Sequence, residues 1–181
     1  MRLFIAVNFS EPVRDSLTGW IQKLKDCGAS GNFSRRENLH LTLAFIGETD
    51  KVEKVRQAMD KVSAEPFALT VGGLGRFRRN GGDICWAGVE KNEALLSVHN
   101  QLCSALRLAG FPIENREFKP HLTLGREVVF PSGFSFRDFA GRIAPMTEQV
   151  WKISLMKSER IGGKLTYTEI YEKRLEPREN R

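Results

Sequence analysis

The sequence predicts an α+β protein with a mostly antiparallel sheet, and three observations support this prediction. Helical and extended segments alternate, but several extended segments follow one another through hairpin-type connections rather than helical crossovers. No low-complexity linker divides the 181 residues. The tetrapeptide His-Leu-Thr-Leu occurs at residues 40 to 43 and again at 121 to 124, which indicates a duplicated lobe. We therefore expect one domain, residues 1 to 181, made of two intertwined lobes.

The first part of the chain predicts two strands and two helices. Residues 2 to 9 are typical of a buried strand, and Ser10-Glu11-Pro12 suits the start of a helix that ends near Gly28. Residues 38 to 46 predict the second strand. We expect Asp50 to cap the second helix, because the apolar residues after it recur at three- and four-residue spacing.

The second part of the chain predicts one helix and more strands. Asn92 is a suitable cap for a helix over residues 93 to 108. We interpret Gly72-Gly73-Leu74-Gly75 as a turn, and residues 130 to 145, rich in Gly, Pro, Ser and Phe, as a long irregular connection. Strands are predicted at residues 67 to 71, 84 to 89 and 121 to 125, with a closing hairpin at 150 to 158 and 164 to 173.

Composition and charge restrict the class of protein. The 41% hydrophobic and 28% charged residues are typical of a globular protein. An odd number of cysteines without a C-x-x-C pair argues against a disulfide framework and fits a reducing cytosol. The apolar run from Leu3 to Val7 is too short for a signal peptide or a membrane span, so we expect a cytoplasmic protein with no membrane partner. The net charge of +6 favours an anionic partner such as RNA, although a basic surface alone also explains it. No obligate protein partner is evident.

The repeated tetrapeptide predicts a cleft site. Side chains of a strand alternate between its faces, so His40 and Thr42 share one face while the leucines between them point to the core. The same alternation places His121 and Thr123 together on the second copy. If a pseudo-twofold axis relates the two lobes, two imidazoles and two hydroxyls surround one space.

This set of groups suits displacement at phosphorus. A neutral imidazole can take the proton of an attacking water, and a protonated imidazole can give a proton to the leaving oxygen. Threonine hydroxyls can donate hydrogen bonds to the non-bridging oxygens, where negative charge develops. This chemistry requires no metal ion or other cofactor, and the residues alone leave the acid and base roles interchangeable.

Two other interpretations of the histidines compete with this one. One His-Leu-Thr-Leu segment alone would be explained as an edge strand, but two identical copies favour a site. A metal site is disfavoured because each copy offers one ring nitrogen, whereas catalytic zinc usually takes three protein ligands. The third histidine, His99, lies four residues before Cys103 on a predicted helix, and we interpret it as a packed or surface histidine rather than a ligand.

Around the two tetrapeptides the sequence resembles the two-histidine (2H) phosphoesterase superfamily, defined by two H-x-[ST]-x motifs. More narrowly, it is similar to the bacterial RNA 2',3'-cyclic phosphodiesterases, also called 2'-5' RNA ligase-like proteins. The resemblance implies a bilobal pseudo-twofold fold of two mostly antiparallel sheets flanked by helices, with the active-site cleft between the lobes. The similarity covers nearly the whole chain and is strongest in the RLFIAV strand, residues 37 to 47, residues 119 to 126, and the pattern Ser154, Leu155 and Tyr167.

The resemblance also implies an activity and residue roles. It implies hydrolysis of a 2',3'-cyclic phosphate, on RNA 3' ends or nucleotides, to a 2'-phosphate without a metal ion or cofactor. By this likeness His40 is the proton donor to the 3'-oxygen, and His121 is the proton acceptor that activates water. Thr42 and Thr123 match phosphate-binding positions.

Two further residues follow from the resemblance, each five positions after its histidine. Arg126 matches a cationic phosphate-binding position, and a guanidinium can pair bidentately with phosphate oxygens. Its odd spacing from His121 requires a bend or bulge if both are to share a face. Phe45 matches a residue beside the terminal nucleotide. The segment Phe33-Ser34-Arg35 departs from relatives that often carry Trp there, so the resemblance is weakest at the nucleobase platform.

Further basic and aromatic residues have less specific interpretations. Trp20, Trp86 and Trp151 are widely separated and are predicted to be core residues. A basic rim that attracts the rest of an RNA strand and a dispersed solvated surface are equally compatible with Arg35, Arg36, Arg76, Arg78, Arg79 and Lys119.

Alternative functions keep the same fold. One is a non-catalytic domain that binds nucleotides or RNA ends. The others are enzymes with the same site and a different substrate, namely a 2'-5' phosphodiesterase or ligase, or a phosphodiesterase of cyclic phosphates on ADP-ribose.

Overall fold

The computed structural model describes residues 1–179, and within them the chain forms nine strands, four α-helices and one 3-10 turn. In chain order the elements are β1 (Arg2–Asn8), α1 (Glu11–Asp26), β2 (Ser30–Phe33), the 3-10 turn (Arg36–Asn38), β3 (His40–Glu48), α2 (Val52–Asp60), β4 (Phe67–Phe77), β5 (Asp83–Val89), α3 (Glu93–Leu108), β6 (His121–Val129), α4 (Phe136–Ala140), β7 (Met146–Val150), β8 (Lys152–Ile161) and β9 (Lys164–Arg174).

The strands of residues 1–179 form an antiparallel sheet with two halves. Their order is β7-β4-β5-β6-β3-β1-β8-β9, and β2 pairs with β6. The two central strands, β3 and β6, are joined through the single residue pair Leu41 and Leu122. The strands β1, β3, β8 and β9 therefore form one half, and the other five strands form the second. The predicted α+β class with mostly antiparallel sheet is confirmed, and the two halves of the sheet meet at the two His-Leu-Thr-Leu segments.

Within residues 1–179, α3 and α4 begin with a side-chain cap, whereas α1 and α2 do not. Ser10 precedes α1 as predicted, but its hydroxyl donates to Glu148 at 2.8 Å rather than capping the helix. The Asn92 side chain accepts a hydrogen bond from the Leu95 backbone N–H at 2.9 Å, as predicted for the start of α3. The prediction that Asp50 caps the second helix is wrong, because α2 starts after Lys51 and has no side-chain cap. The Thr49 hydroxyl instead accepts from the Lys51 N–H at 3.0 Å, which forms a local turn before the helix.

Two regions differ from their predicted structure. The glycine-rich segment 72–75 is not a turn but part of β4, which continues to Phe77. Its pairing with β5 is irregular between Val71 and Leu74, and Gly73 has a φ of +75°, so the glycines allow a bulge rather than a chain reversal. The connection predicted to be irregular contains α4, a short helix that Ser135 caps.

The core lies between the helices and one face of the sheet. The four leucines of the two tetrapeptides are all buried there, as the alternation of strand faces predicts. Trp20 also belongs to the core, but the prediction is wrong for Trp151, which is 46% exposed, and for Trp86, which is half-buried outside it. Within residues 1–179, none of the helices combines the length and apolar character needed to cross a membrane.

Candidate active site

A bulge in β3 brings Phe45 to the same face as the first histidine. In the pairing of β3 with β1, Asn8 faces His40 and Ala6 faces Thr42, but the next pair is Ile5 with Ala44, so Leu43 is an extra residue. A bulge of this kind reverses the alternation of faces beyond it. Phe45 consequently pairs with Phe4 and lies on the face of His40 and Thr42.

An equivalent bulge occurs in β6. In its pairing with β5, Thr123 faces Trp86 and Gly125 faces Cys85, so Leu124 is the extra residue. Arg126 therefore follows a core-facing residue and lies on the face of Thr123. This bulge supplies the change of face that the odd spacing between the second histidine and Arg126 requires.

The register between the two halves places the motif side chains opposite one another. Because Leu41 pairs with Leu122 in an antiparallel ladder, His40 lies across from Thr123 and Thr42 lies across from His121. All four side chains project from the face opposite the buried leucines. The two histidines are diagonal neighbours, a relation that in a regular ladder separates the residues by about 7–8 Å.

His40 is held by its backbone and by aromatic rings. Its Nδ1 lies 2.7 Å from the Asn38 carbonyl oxygen, which can only accept, so Nδ1 carries a proton. Its Nε2 lies 2.9 Å from Thr42 Oγ1. The ring of Phe4 lies 4.9 Å and the ring of Tyr167 lies 5.2 Å from the imidazole, measured between ring centroids. The imidazole therefore presents Nε2 to the cleft.

His121 has a closely matching environment in the other half. Its Nδ1 lies 2.7 Å from the Lys119 carbonyl oxygen, so this imidazole also presents Nε2 to the cleft. The Phe77 ring meets the imidazole edge-on with centroids 5.0 Å apart, and the Trp86 ring lies 6.3 Å away. Trp86 lies across Gly75, where an added Cβ would be 2.1 Å from the indole.

Burial and neighbouring positive charge lower the pKa of both histidines. For His40, burial is the main cause, and the nearby charges of His121 and Arg126 lower its pKa further. For His121, burial is again the main cause, with Arg126 contributing in the same direction. Each hydrogen bond from Nδ1 to a carbonyl opposes this lowering of the pKa. Arg126 thus acts electrostatically on both imidazoles, although it lies on only one of the two strands.

The structure brings the predicted residues together on one face at the junction of the two halves. Phe45 lies at the outer edge, 53% exposed, with the Arg2 guanidinium 5.3 Å from its ring centroid. The residues that share this face are His40, Thr42, Phe45, His121, Thr123 and Arg126.

The sequence interpretation missed Phe77 and Trp86 beside His121. The signal for Trp86 was present, because in β5 the small residues Cys85 and Ala87 point to the core and leave Trp86 on the opposite face. The contact of Ser34 with the second motif strand was not predicted either. Its hydroxyl donates to the Thr123 carbonyl at 2.8 Å, and its N–H donates to the Leu124 carbonyl at 2.8 Å.

Three of the six basic residues considered for a rim, Arg35, Arg36 and Arg76, are paired with carboxylates. Arg36 pairs with Glu11 and Asp15 on α1, and Arg76 pairs with Asp83 at 3.2 Å. In the described part of the chain, no group of three or more His, Cys, Asp or Glu residues is arranged to hold a metal ion.

Comparison with known proteins places this arrangement in a family. A family model described as the 2'-5' RNA ligase superfamily matches residues 13–156. The chain is 35% identical over 136 residues to a Thermotoga maritima protein named RNA 2',3'-cyclic phosphodiesterase, covering 72% of each chain. An Escherichia coli protein of the same name is 29% identical over 143 residues, covering 75% of this chain and 80% of the relative.

Solved structures show the same fold over nearly the full length. The crystal structure of E. coli LigT complexed with 3'-AMP superimposes with a TM-score of 0.79 at 26% identity, covering 96% of this chain and 97% of that one. A crystal structure described as a phosphoesterase gives a TM-score of 0.80 at 25% identity, covering 97% and 98% of the two chains. The two bulged His-Leu-Thr-Leu strands pair at Leu41 and Leu122, and the family model spans most of the chain. The chain therefore belongs to the 2'-5' RNA ligase superfamily.

Proposed function

We propose that this protein hydrolyses the 2',3'-cyclic phosphate at an RNA 3' end to a 2'-phosphate, using His40 and His121 without a metal ion. The observation that supports this most is the register at the junction, which sets each histidine across from the threonine of the other motif. The relatives named RNA 2',3'-cyclic phosphodiesterase supply the substrate class. The whole chain, folded as one domain of two intertwined lobes, supplies both halves of the site.

The difference between the two imidazoles supports the assignment of roles. Nε2 of His40 is hydrogen-bonded to Thr42, whereas within residues 1–179 no protein group is hydrogen-bonded to Nε2 of His121. A base that activates water needs an unshared lone pair on an accessible nitrogen. His121 fits that role, and His40 then serves as the acid.

The reaction is an in-line displacement at phosphorus. As the water oxygen forms its bond to phosphorus, Nε2 of His121 takes the water proton. The bond from phosphorus to the 3'-oxygen breaks, and the Nε2 proton of His40 goes to that oxygen. The products are a 2'-phosphate and a free 3'-hydroxyl, and proton exchange with solvent restores the two imidazoles.

The threonines and Arg126 stabilise the charge that develops on the non-bridging oxygens. When His40 is neutral, the Thr42 hydroxyl donates to its Nε2. When His40 is protonated, Nε2 no longer accepts that hydrogen, and its own proton is available to the 3'-oxygen. Protonation of His40 thus frees the Thr42 hydrogen for the phosphate. An anionic phosphate in the cleft also opposes the lowering of the histidine pKa values by Arg126.

The test uses an oligonucleotide with a 2',3'-cyclic phosphate end, in excess EDTA, with the product identified by phosphorus NMR. We expect turnover to a 2'-phosphate, and loss of most activity in His40→Ala and in His121→Ala. A requirement for a divalent metal ion, or a 3'-phosphate product, contradicts the proposal. Binding without turnover identifies a non-catalytic RNA-end-binding domain. Faster turnover of a 2'-5' linked dinucleotide, or of a cyclic phosphate on ADP-ribose, identifies the other substrates.

A further inference from the structure

The third histidine lies at a contact between α3 and the first motif strand. His99 is partly buried, and its Nδ1 lies 2.9 Å from the carbonyl oxygen of Leu43. Leu43 is the extra residue of the β3 bulge, the irregularity that turns Phe45 to the cleft face. A bulged residue is left unpaired in its strand ladder, so its carbonyl needs a donor from elsewhere. His99 provides that donor.

The β6 bulge shows the same requirement met in another way. There the carbonyl of the extra residue, Leu124, accepts from the backbone N–H of Ser34, which follows β2. In residues 1–179, β3 has β1 on one side and pairs with β6 on the other only at Leu41. The imidazole of His99 is therefore the hydrogen-bond donor at the β3 bulge. The backbone N–H of Ser34 is the equivalent donor at the β6 bulge.

His99 also contacts the segment that leads into the second motif. Its ring stacks on Phe118 with centroids 3.8 Å apart and planes 5° from parallel. Phe118 precedes Lys119, whose carbonyl accepts the Nδ1–H of His121. No regular secondary structure holds residues 111–120. The stack with His99 is thus a direct packing contact for the approach to His121.

We propose that His99 is a positioning residue that serves both motifs at once. Its Nδ1–H stabilises the β3 bulge, which places Phe45 on the cleft face. Its ring packs on Phe118 and so stabilises the neighbouring hydrogen bond between the Lys119 carbonyl and His121. This inference rests on the proposed function for its kinetic consequences, but each of the two contacts has its own structural readout.

The protonation state of His99 suits this role. The Leu43 carbonyl can only accept, so Nδ1 carries the hydrogen. Burial lowers the pKa of His99 and raises the pKa of the Cys103 thiol, whose sulfur lies 3.7 Å from Nε2. The lowered pKa favours the neutral ring. The Cys103 sulfur lies 3.8 Å from Nδ1 as well as 3.7 Å from Nε2, so it contacts the ring without a specific bond to either nitrogen. The ring thus has a hydrogen-bond acceptor at Nδ1, a stacking partner on its face and a sulfur contact inside the protein.

Three substitutions separate the two contacts. In His99→Asn, the side-chain amide takes the place of Nδ1–H and keeps the donor to Leu43, but the stacked ring is lost. In His99→Phe, the ring stack on Phe118 is kept, but the donor is lost. Phe118→Leu removes the stack from the other side and leaves the hydrogen bond intact.

We expect the variants to split kcat from KM. His99→Phe should raise KM for a cyclic-phosphate oligonucleotide about 10-fold with kcat nearly unchanged, because the affected residue, Phe45, is on the cleft face that the nucleotide would occupy. His99→Asn and Phe118→Leu should lower kcat about 10-fold with KM nearly unchanged, because a small misplacement of the base slows the chemical step. A uniform loss through unfolding would change all of these constants together, so thermal unfolding is measured on each variant.

Amide and imidazole NMR spectra test the same contacts without turnover. The backbone amide signal of Phe45 should shift in His99→Phe but not in His99→Asn. The ring signals of His121 should shift in His99→Asn but not in His99→Phe. If both His99 variants keep wild-type kinetics and wild-type spectra, the proposal is wrong. If the wild-type protein does not hydrolyse cyclic phosphates but the spectra split as expected, the proposed function fails and the positioning role stands. Should the His99 variants not fold, an unchanged His121 ring signal and kcat in Phe118→Leu overturn the proposal.

Discussion

The alignment of His121 depends on a glycine that has no room for a methyl group. Gly75 pairs directly with Trp86 across β4 and β5, and an added Cβ would lie 2.1 Å from the indole. Ordinary contact begins at 3.4 Å, so Gly75→Ala must move the ring by about 1.3 Å. The indole cannot retreat freely, because Phe77 packs on it with ring centroids 5.4 Å apart, and both rings flank His121.

The consequence of this displacement is loss of rate rather than loss of binding. A misplacement of about 1 Å can cost up to about 100-fold in rate, so we expect kcat for a nucleoside 2',3'-cyclic phosphate to fall by about 10-fold to 100-fold. Forcing a methyl group into this contact should also cost about 1–3 kcal/mol of unfolding free energy.

Gly19→Ala provides the matched control for this prediction. Gly19 lies in α1, and its added Cβ would meet no heavy atom within 4 Å. That variant should keep full activity and gain up to about 1 kcal/mol of stability from helix propensity. If Gly75→Ala retains the wild-type kcat and leaves the His121 ring signals unmoved, the Phe77–Trp86 pair does not position His121.

Three further predictions concern charge, pH and the β6 bulge. In Arg126→Leu, the pKa of both His40 and His121 should rise, so both limbs of the pH profile of kcat/KM should move to higher pH. Arg126→Lys keeps the positive charge and should leave both limbs nearly in place. The pKa of His40 and of His121 is lower in the folded protein than in the unfolded chain, so the unfolded chain binds more protons in acid. The free energy of unfolding, measured with denaturant, should therefore be retained above about pH 6.5 and decrease below it. The decrease should be smaller in His40→Asn. Ser34→Ala removes the hydrogen bond to the Thr123 carbonyl and should lower the unfolding free energy by about 1 kcal/mol, whereas an unchanged value would show that the hydroxyl does not support the bulge.

Much of the site followed from strand periodicity alone. The alternation of faces places each His and Thr together and buries the leucines between them, and the structure shows this arrangement in β3 and β6. Phe45 and Arg126 required more, because their faces depend on one extra residue in each strand. At the end of each motif two buried residues stand in succession, Leu43-Ala44 and Leu124-Gly125, and this break in the alternation of buried and exposed residues marks the bulge.

Other parts of the site depend on contacts between segments far apart in the chain. Trp86 lies beside His121 because β5 pairs with β6, and neither strand contains information about its partner. His99 approaches Leu43 because α3 packs against β3, 56 residues away in sequence. Local signals of helix and strand formation predict each element, but these pairings depend on burial of the whole core.

The assignment of His40 as acid and His121 as base is tested most directly by changing the leaving group. A nucleoside 2'-phosphodiester with a nitrophenolate leaving group needs no proton from an acid, whereas the 3'-oxygen of the cyclic phosphate does. We predict that His40→Ala hydrolyses the nitrophenyl ester at close to the wild-type rate while losing activity on the cyclic phosphate, and that His121→Ala is inactive on both. Recovery of activity in His121→Ala and not in His40→Ala would contradict this assignment.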